Sequence, residues 1–225
     1  MDRPFVSAII VAAGNSTRMG TNKQLLMLGD RPVIAHTLSA FEECDRVDEI
    51  VLVTRAEDVA LMREIASRYG VTKLSAVVVG GAERQDSVAN GVAACNSRAA
   101  YVAIHDGARP LITPALITEV IEAAVEIGAV AAAVKVKDTV KVADERGFIV
   151  DTPDRAMLWN VQTPQIFEKA LYLDAMAKAR QNGLSVTDDC RLAEVAGYPV
   201  KLVEGSYTNI KITTPEDIRS AEGWL

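Results

Sequence analysis

Two cations stand five residues apart in the string AAGNSTRMGTNKQL, residues 12–25: Arg18 and Lys23, set among glycines and small polar side chains. An arginine grips phosphate oxygens with a two-point fork, and a lysine adds compact charge. Glycine leaves backbone N–H groups open to a ligand. The combination suits neutralising the charge that grows on a triphosphate when its α-phosphate is attacked and pyrophosphate leaves. It suits a solvated surface loop equally well, and the string alone does not choose. Two familiar phosphate loops are excluded. Gly14 is followed by Asn15 and Ser16, so there is no G-x-G-x-x-G, and Gly20 is not followed by Lys-Ser/Thr as a Walker A loop requires.

Two further strings add chemistry. In IHDGARP (104–110), Asp106 ends an apolar run and Arg109 follows three residues on. A carboxylate there suits Mg²⁺, which takes one or two carboxylates together with substrate phosphates; it suits a turn cap before Gly107 as well. In GGAERQDS (80–87), paired glycines would let backbone approach a flat base, with Ser87 beside it. Taken alone, that string reads better as a helix entry.

The elements that must position these residues alternate along the chain. SAIIVAA (7–13), EIVLVTR (49–55), LSAVVVGG (74–81), YVAIHD (101–106) and AVAAAVKV (129–136) are continuous apolar runs, the pattern of strands covered on both faces. Amphipathic segments at 31–44, 56–70, 84–95 and 113–128 predict helices between them, with Thr113-Pro114 as a start and Gly70 and Gly128 as stops. The order predicts an α/β fold: a mostly parallel twisted sheet flanked by helices, with ligands beyond the carboxyl ends of the strands. Residues 135–159 break the pattern by alternating Val with polar residues around DERG. They read as a two-stranded ribbon too poor in apolar residues to stand alone, which predicts packing against a second copy of the chain.

The 225 residues carry a net charge of −6, against a broad nucleic-acid surface. Cys44, Cys95 and Cys190 form no C-x-x-C pair and read as reduced thiols. The apolar part of MDRPFVSAIIVAAG is too short for a signal peptide, and no run approaches the roughly 20 residues that span a bilayer. A soluble cytoplasmic protein, bound neither to nucleic acid nor to membrane, is the expectation. His36 and His105 read as structural, Trp159 as packing at the ribbon's base, and Trp224 as a C-terminal anchor.

The loop, GGAERQDSV and HDGARP, together with KDT (137–139), DR..LW (154–159), QTPQ.F (162–167), TDD (187–189) and NIKIT.PEDI (209–218), resemble the 2-C-methyl-D-erythritol 4-phosphate cytidylyltransferase family, in order and spacing, from about Ala8 to the C-terminus. The resemblance implies a single domain over 1–225 with a Rossmann-like nucleotidyltransferase fold and a protruding β-arm, at about 137–157, that joins a homodimer. It implies transfer of CMP from CTP to 2-C-methyl-D-erythritol 4-phosphate, with Mg²⁺ and release of pyrophosphate. By position, Ala12, Ala13, Gly14, Gly81, Ala82, Ser87 and Asp106 would bind CTP, with Asp106 holding the metal. Arg18 and Lys23 would stabilise the transition state. Arg109, Thr139, Thr163 and Thr187 would bind the sugar phosphate, and Arg155 and Lys211 would position the attacking phosphate, Arg155 serving the partner's site. Some members carry Asp where this chain has Ala82. A ribitol-5-phosphate cytidylyltransferase shares several strings and is the alternative. A nicotinamide-dependent oxidoreductase is a further one, opposed by the missing G-x-G-x-x-G and by VLVTR, which offers no carboxylate to a ribose. A CTP-binding domain without catalysis would not need cations on both sides of the reacting phosphate.

Overall fold

In the computed structural model, residues 3–14, 22–184, 186 and 188–225 are described. The chain begins with β1 (Val6–Val11) and a short pair, β2 (Met27–Leu28) and β3 (Arg31–Pro32). Then come α1 (Val33–Glu42), β4 (Glu49–Thr54), α2 (Val59–Arg68), β5 (Leu74–Val79), α3 (Arg84–Ala94), β6 (Tyr101–Asp106) and α4 (Pro114–Ile127). The second part carries β7 (Ala129–Lys135), a hairpin of β8 (Val142–Ala143) and β9 (Ile149–Asp151), and the long β10 (Trp159–Glu168). It ends with α5 (Lys169–Gln181), α6 (Asp189–Val195), β11 (Lys201–Glu204) and α7 (Pro215–Glu222).

Seven strands form one sheet in the order β11-β7-β10-β6-β1-β4-β5. Six run the same way, and β10 is antiparallel to both its neighbours. The continuous apolar runs are explained by two cores, one on each face. Ala8, Ile10, Ile50 and Leu52 face α1, α2 and α4 with Ile34, Phe41, Met62 and Ile121. Ile9, Val53 and Ile104 face α3, α5 and α6 with Val88, Tyr172 and Leu192. Each central strand therefore buries both sets of side chains, which is why its sequence does not alternate; β5, at the sheet edge, does not, since Val77 is its one buried residue. A third cluster of Leu28, Val33, Ala108, Ile212 and Ala221 pins α7 and the segment before it against β2 and α1. Among the described residues, no helix is long and apolar enough to cross a membrane.

The start of α4 matches its expected signal: Thr113 accepts a hydrogen bond from Leu116 N, with Pro114 in the first turn, and Gly128 closes the helix at φ +94°. The expected boundaries need correction in three places. Arg31 and Pro32 pair with β2 before α1 begins, and residues 56–58 form a 3-10 turn ahead of α2. The ribbon is shorter than 135–159. Its ladder joins only 142–143 to 149–151, around a turn closed by Gly147 N donating to Asp144 O at 2.9 Å. Trp159 already belongs to β10. That strand lacks an apolar signature because Gln162, Thr163 and Gln165 are buried polar residues and Pro164 has no N–H; its ladder with β7 breaks between Val161 and Gln165. Trp224, expected as an anchor, is 51% exposed.

Candidate functional site

The carboxyl ends of the parallel strands gather the candidate residues on one edge of the sheet. At the β1, β4 and β5 ends, Ala13, Gly81 and Ala82 line a cavity of about 310 Å³ with Thr54, Arg55 and Gly80. The walls touch closely: a Cβ on Gly80 would lie 2.4 Å from the Ala13 Cβ and 2.8 Å from Ser87 Oγ. Ser87 Oγ accepts from Gly81 N at 3.1 Å and donates to Glu83 O at 3.0 Å, so it fixes the double-glycine turn. Glu83 and Asp86 cap α3 reciprocally, so the string is both a helix entry and a cavity wall. Ala12 is buried, its N–H donating to Val53 O at 2.7 Å, while Gly14 is exposed. Lys23 opens a 3-10 turn whose first donor, Gln24 N, is capped by Asn22 Oδ1; Asn22 Nδ2 in turn donates to Asp58 Oδ2 at 2.8 Å.

Asp106, at the end of β6, is the centre of the charged part. Its Oδ2 lies 2.8 Å from Lys211 Nζ and 3.7 Å from Arg109 Nε, and its Oδ1 lies 4.0 Å from Arg84 Nε. Arg84 is itself paired with buried Asp189, Nη1 to Oδ2, at 2.7 Å. Burial would raise the Asp106 carboxyl, but Lys211, Arg84 and Arg109 outweigh it and hold it down at about 2. Burial pushes Asp189 up from its ordinary value, against the pull of Arg84 and of Tyr172, whose Oη donates to Asp189 Oδ1 at 2.7 Å. Three cations against two carboxylates leave this edge net positive, which suits an anionic ligand.

Beneath it lies a dry polar network. Asp106 N donates to Thr163 Oγ1 at 3.1 Å, and that hydroxyl meets His105 Nδ1 at 3.0 Å. Burial lowers His105 to about 3, so its ring is neutral and Nδ1 accepts the Thr163 proton; the other ring nitrogen then carries the hydrogen that faces Arg109 O at 3.4 Å. Fully buried Asn209 donates from Nδ2 to Thr163 O at 2.9 Å and to Gln162 Oε1 at 3.3 Å, and its backbone carbonyl accepts from Arg109 Nη1 at 2.7 Å.

Asp106, Arg109, Thr163 and Lys211 are thus brought together. Arg155 and Thr139 are not. Arg155 lies in an exposed 3-10 turn at the base of the ribbon, Nη1 donating to Lys137 O at 2.8 Å, and Thr139 is exposed on the ribbon's other limb. No hydrogen bond or ion pair joins either to the Asp106 cluster among the described residues. Arg18 and Thr187 lie outside the described residues. Arg84, Asp189 and Asn209 had no assigned role in the sequence, although each falls inside a quoted string.

The donor set fits a divalent ion that arrives with its ligand. Asp106 offers a hard, ionised oxygen, and Oδ1 makes no hydrogen bond with a described residue. Among the described residues no group of three or more His, Cys, Asp or Glu converges, so the remaining ligands would be phosphates and water.

A mostly parallel sheet with a glycine-walled cavity and a cation-rich acidic centre at its carboxyl edge suits an α/β protein that holds an anionic ligand there. Residues 6–225 match the family model IspD, 2-C-methyl-D-erythritol 4-phosphate cytidylyltransferase, and the chain belongs to that family. It is 50% identical over 223 residues to a protein of that name from Caldanaerobacter subterraneus subsp. tengcongensis, with 98% of each chain covered. The crystal structure of 4-diphosphocytidyl-2C-methyl-D-erythritol synthase from Anaerococcus prevotii superposes with a TM-score of 0.89 at 36% identity, covering 99% of this chain and 96% of that one. The 2-C-methyl-D-erythritol 4-phosphate cytidylyltransferase of Thermus thermophilus superposes with a TM-score of 0.79 at 35% identity, covering 98% of both chains.

Proposed function

We propose that the protein transfers CMP from CTP to 2-C-methyl-D-erythritol 4-phosphate, giving 4-diphosphocytidyl-2-C-methyl-D-erythritol and pyrophosphate. The observation that carries the reading is the match along 6–225, with half the residues identical to a protein of that name. Neither a ribitol phosphate acceptor nor nicotinamide chemistry finds support in these likenesses.

The nucleophile is a phosphate oxygen already ionised near neutral pH, so the protein needs no general base. Its task is to bring two anions together and to neutralise charge on the leaving pyrophosphate. The cavity at Ala13, Gly81 and Ala82 takes the cytidine half, walled by backbone that Ser87 holds in place. Lys23 and Arg18 neutralise the charge that grows on the phosphates. Lys211, seated against Asp106 at 2.8 Å, meets the acceptor phosphate together with Arg109 and the hydroxyls of Thr187 and, from the ribbon, Thr139, while Thr163 supports the site from beneath through its bonds with Asp106 N and His105. Mg²⁺, held by Asp106, supplies Lewis-acid neutralisation of the triphosphate when bound.

Arg155 reaches an acceptor site when two copies meet through their ribbons. Phe148, Ile149 and Val150 on that hairpin are 65%, 62% and 62% exposed, and Met157 at its base 78%, an apolar surface that a homodimer would cover. The protein works in the cytoplasm, without nucleic acid or membrane. The test is pyrophosphate release with CTP and Mg²⁺, methylerythritol phosphate and ribitol phosphate being offered separately. Release with the first alone is expected; release with ribitol phosphate alone would overturn the acceptor and keep the chemistry.

A further inference from the structure

The two oxygens of Asp106 keep different company. Oδ2 takes the nearest approach of Lys211, at 2.8 Å, and of Arg109, at 3.7 Å, whereas Oδ1 takes the nearest approach of Arg84, whose Nε stops at 4.0 Å. A guanidinium so close to a carboxylate ordinarily closes into a forked pair. Here it does not, because Arg84 is held from the other side by Asp189 at 2.7 Å. Asp189 is 3% exposed and fixed from two further elements. Tyr172 Oη on α5 donates to its Oδ1 at 2.7 Å, and its backbone N–H donates to Gln165 Oε1 on β10 at 3.1 Å. Tyr172 is itself locked against Phe167, ring centroids 5.2 Å apart. The Asp189 carboxylate is therefore stationary, and Arg84 cannot reach Asp106 Oδ1 without leaving it.

We propose that Asp189 is a positioning residue: it holds the Arg84 guanidinium off Asp106 and so keeps Oδ1 open to the divalent ion that accompanies the nucleotide. The inference rests on the reading of Asp106 as the metal carboxylate. With the Asp189 charge removed, the one buried carboxylate left to Arg84 is Asp106. Closing 4.0 Å to contact then places a fixed positive charge where the ion should sit. Geometry of that kind weakens divalent binding by about tenfold or more.

The test is Mn²⁺ binding to the full-length protein with CTP present, followed by electron paramagnetic resonance, so that turnover plays no part. Asp106→Asn should abolish the bound signal, which locates the ion. Asp189→Asn should weaken binding by about tenfold, and Asp189→Asn with Arg84→Gln should restore it to within about threefold of wild type, because the competing cation is gone. A merely structural role for Asp189 would leave the double variant as weak as the single one, and that result overturns the proposal. So does wild-type affinity in a folded Asp189→Asn protein. If Asp189→Asn does not fold by circular dichroism, Arg84→Gln alone decides: binding at least as tight as wild type supports the proposal, and weaker binding overturns it. A wild-type protein that holds no Mn²⁺ with CTP would instead remove the metal role of Asp106, and this proposal with it.

Discussion

Gly80→Ala is the sharpest single perturbation of the cavity proposed for the nucleotide. The added methyl would stand 2.4 Å from the Ala13 Cβ and 2.8 Å from Ser87 Oγ, where carbon–carbon contact wants about 3.5–4.0 Å. Gly80 cannot back away freely, because its N–H donates to Thr54 O at 2.8 Å and extends the β4–β5 ladder. Two costs add. Overpacking of this kind costs roughly 1–3 kcal/mol. Rotating Ser87 out of the way breaks its bond with Gly81 N, worth about 1 kcal/mol more. The expected loss is therefore about 2–4 kcal/mol, read as a lower urea midpoint at unchanged slope, together with weaker CTP binding by calorimetry. Ala13→Gly removes the nearer clash. The double variant should recover about 1 kcal/mol or more relative to additivity, Ser87 remaining crowded. A Gly80→Ala protein within about 0.5 kcal/mol of wild type, binding CTP normally, would refute the close approach of these two walls.

Four other outcomes follow from the site. His105, lowered to about 3 from an ordinary 6.5, stays neutral while the unfolded chain takes up a proton. Stability should hold above pH 6.5 and fall as pH drops toward 3, this residue contributing up to about 1.4 kcal/mol per pH unit; a His105→Phe variant with an identical acid limb would discount it. Asn209→Ala strands Thr163 O and Gln162 Oε1 in a dry interior and should cost about 2–3 kcal/mol by chemical denaturation. Lys23→Ala, or Arg18→Ala, should cut turnover by about 100-fold or more at saturating CTP, and near-normal turnover would take that residue out of the mechanism. Ile149→Asp should shift sedimentation toward the monomer and reduce turnover in step, whereas a monomeric wild type would dismiss the ribbon contact.

Much of the sheet was legible because both its faces are covered. Runs such as EIVLVT have no polar positions between their ends, and the helices between them end on signals as local as Thr113-Pro114 and Gly128. Asp106 was legible for a related reason: a carboxylate directly after a buried strand in a parallel sheet points at the ligand edge. What stayed hidden depended on distant partners. β10 carries Gln162, Thr163 and Gln165 inside the protein, and their polarity makes sense only once Asn209, His105 and the Asp189 backbone are placed around them. Arg84 drew no role from the sequence, since its partner Asp189 lies far along the chain. The limbs of the ribbon were read as strand because alternation with Val continues there, but among the described residues 137–141 and 152–157 join no ladder, while Lys135 and Trp159 pair within the main sheet.

The late insertion of β10 between β6 and β7 bears on how the molecule assembles. β1, β4, β5 and β6 are linked by helical crossovers and pair with one another, so the N-terminal half can condense from contacts local in sequence. Asn209 and Lys211 arrive only after β10 and β11 have docked. On a ribosome delivering the N-terminal part first, Asp106 is thus committed to a forming core before the lysine that compensates it exists. Until then Arg109, three residues away, is the nearest cation to shield that charge.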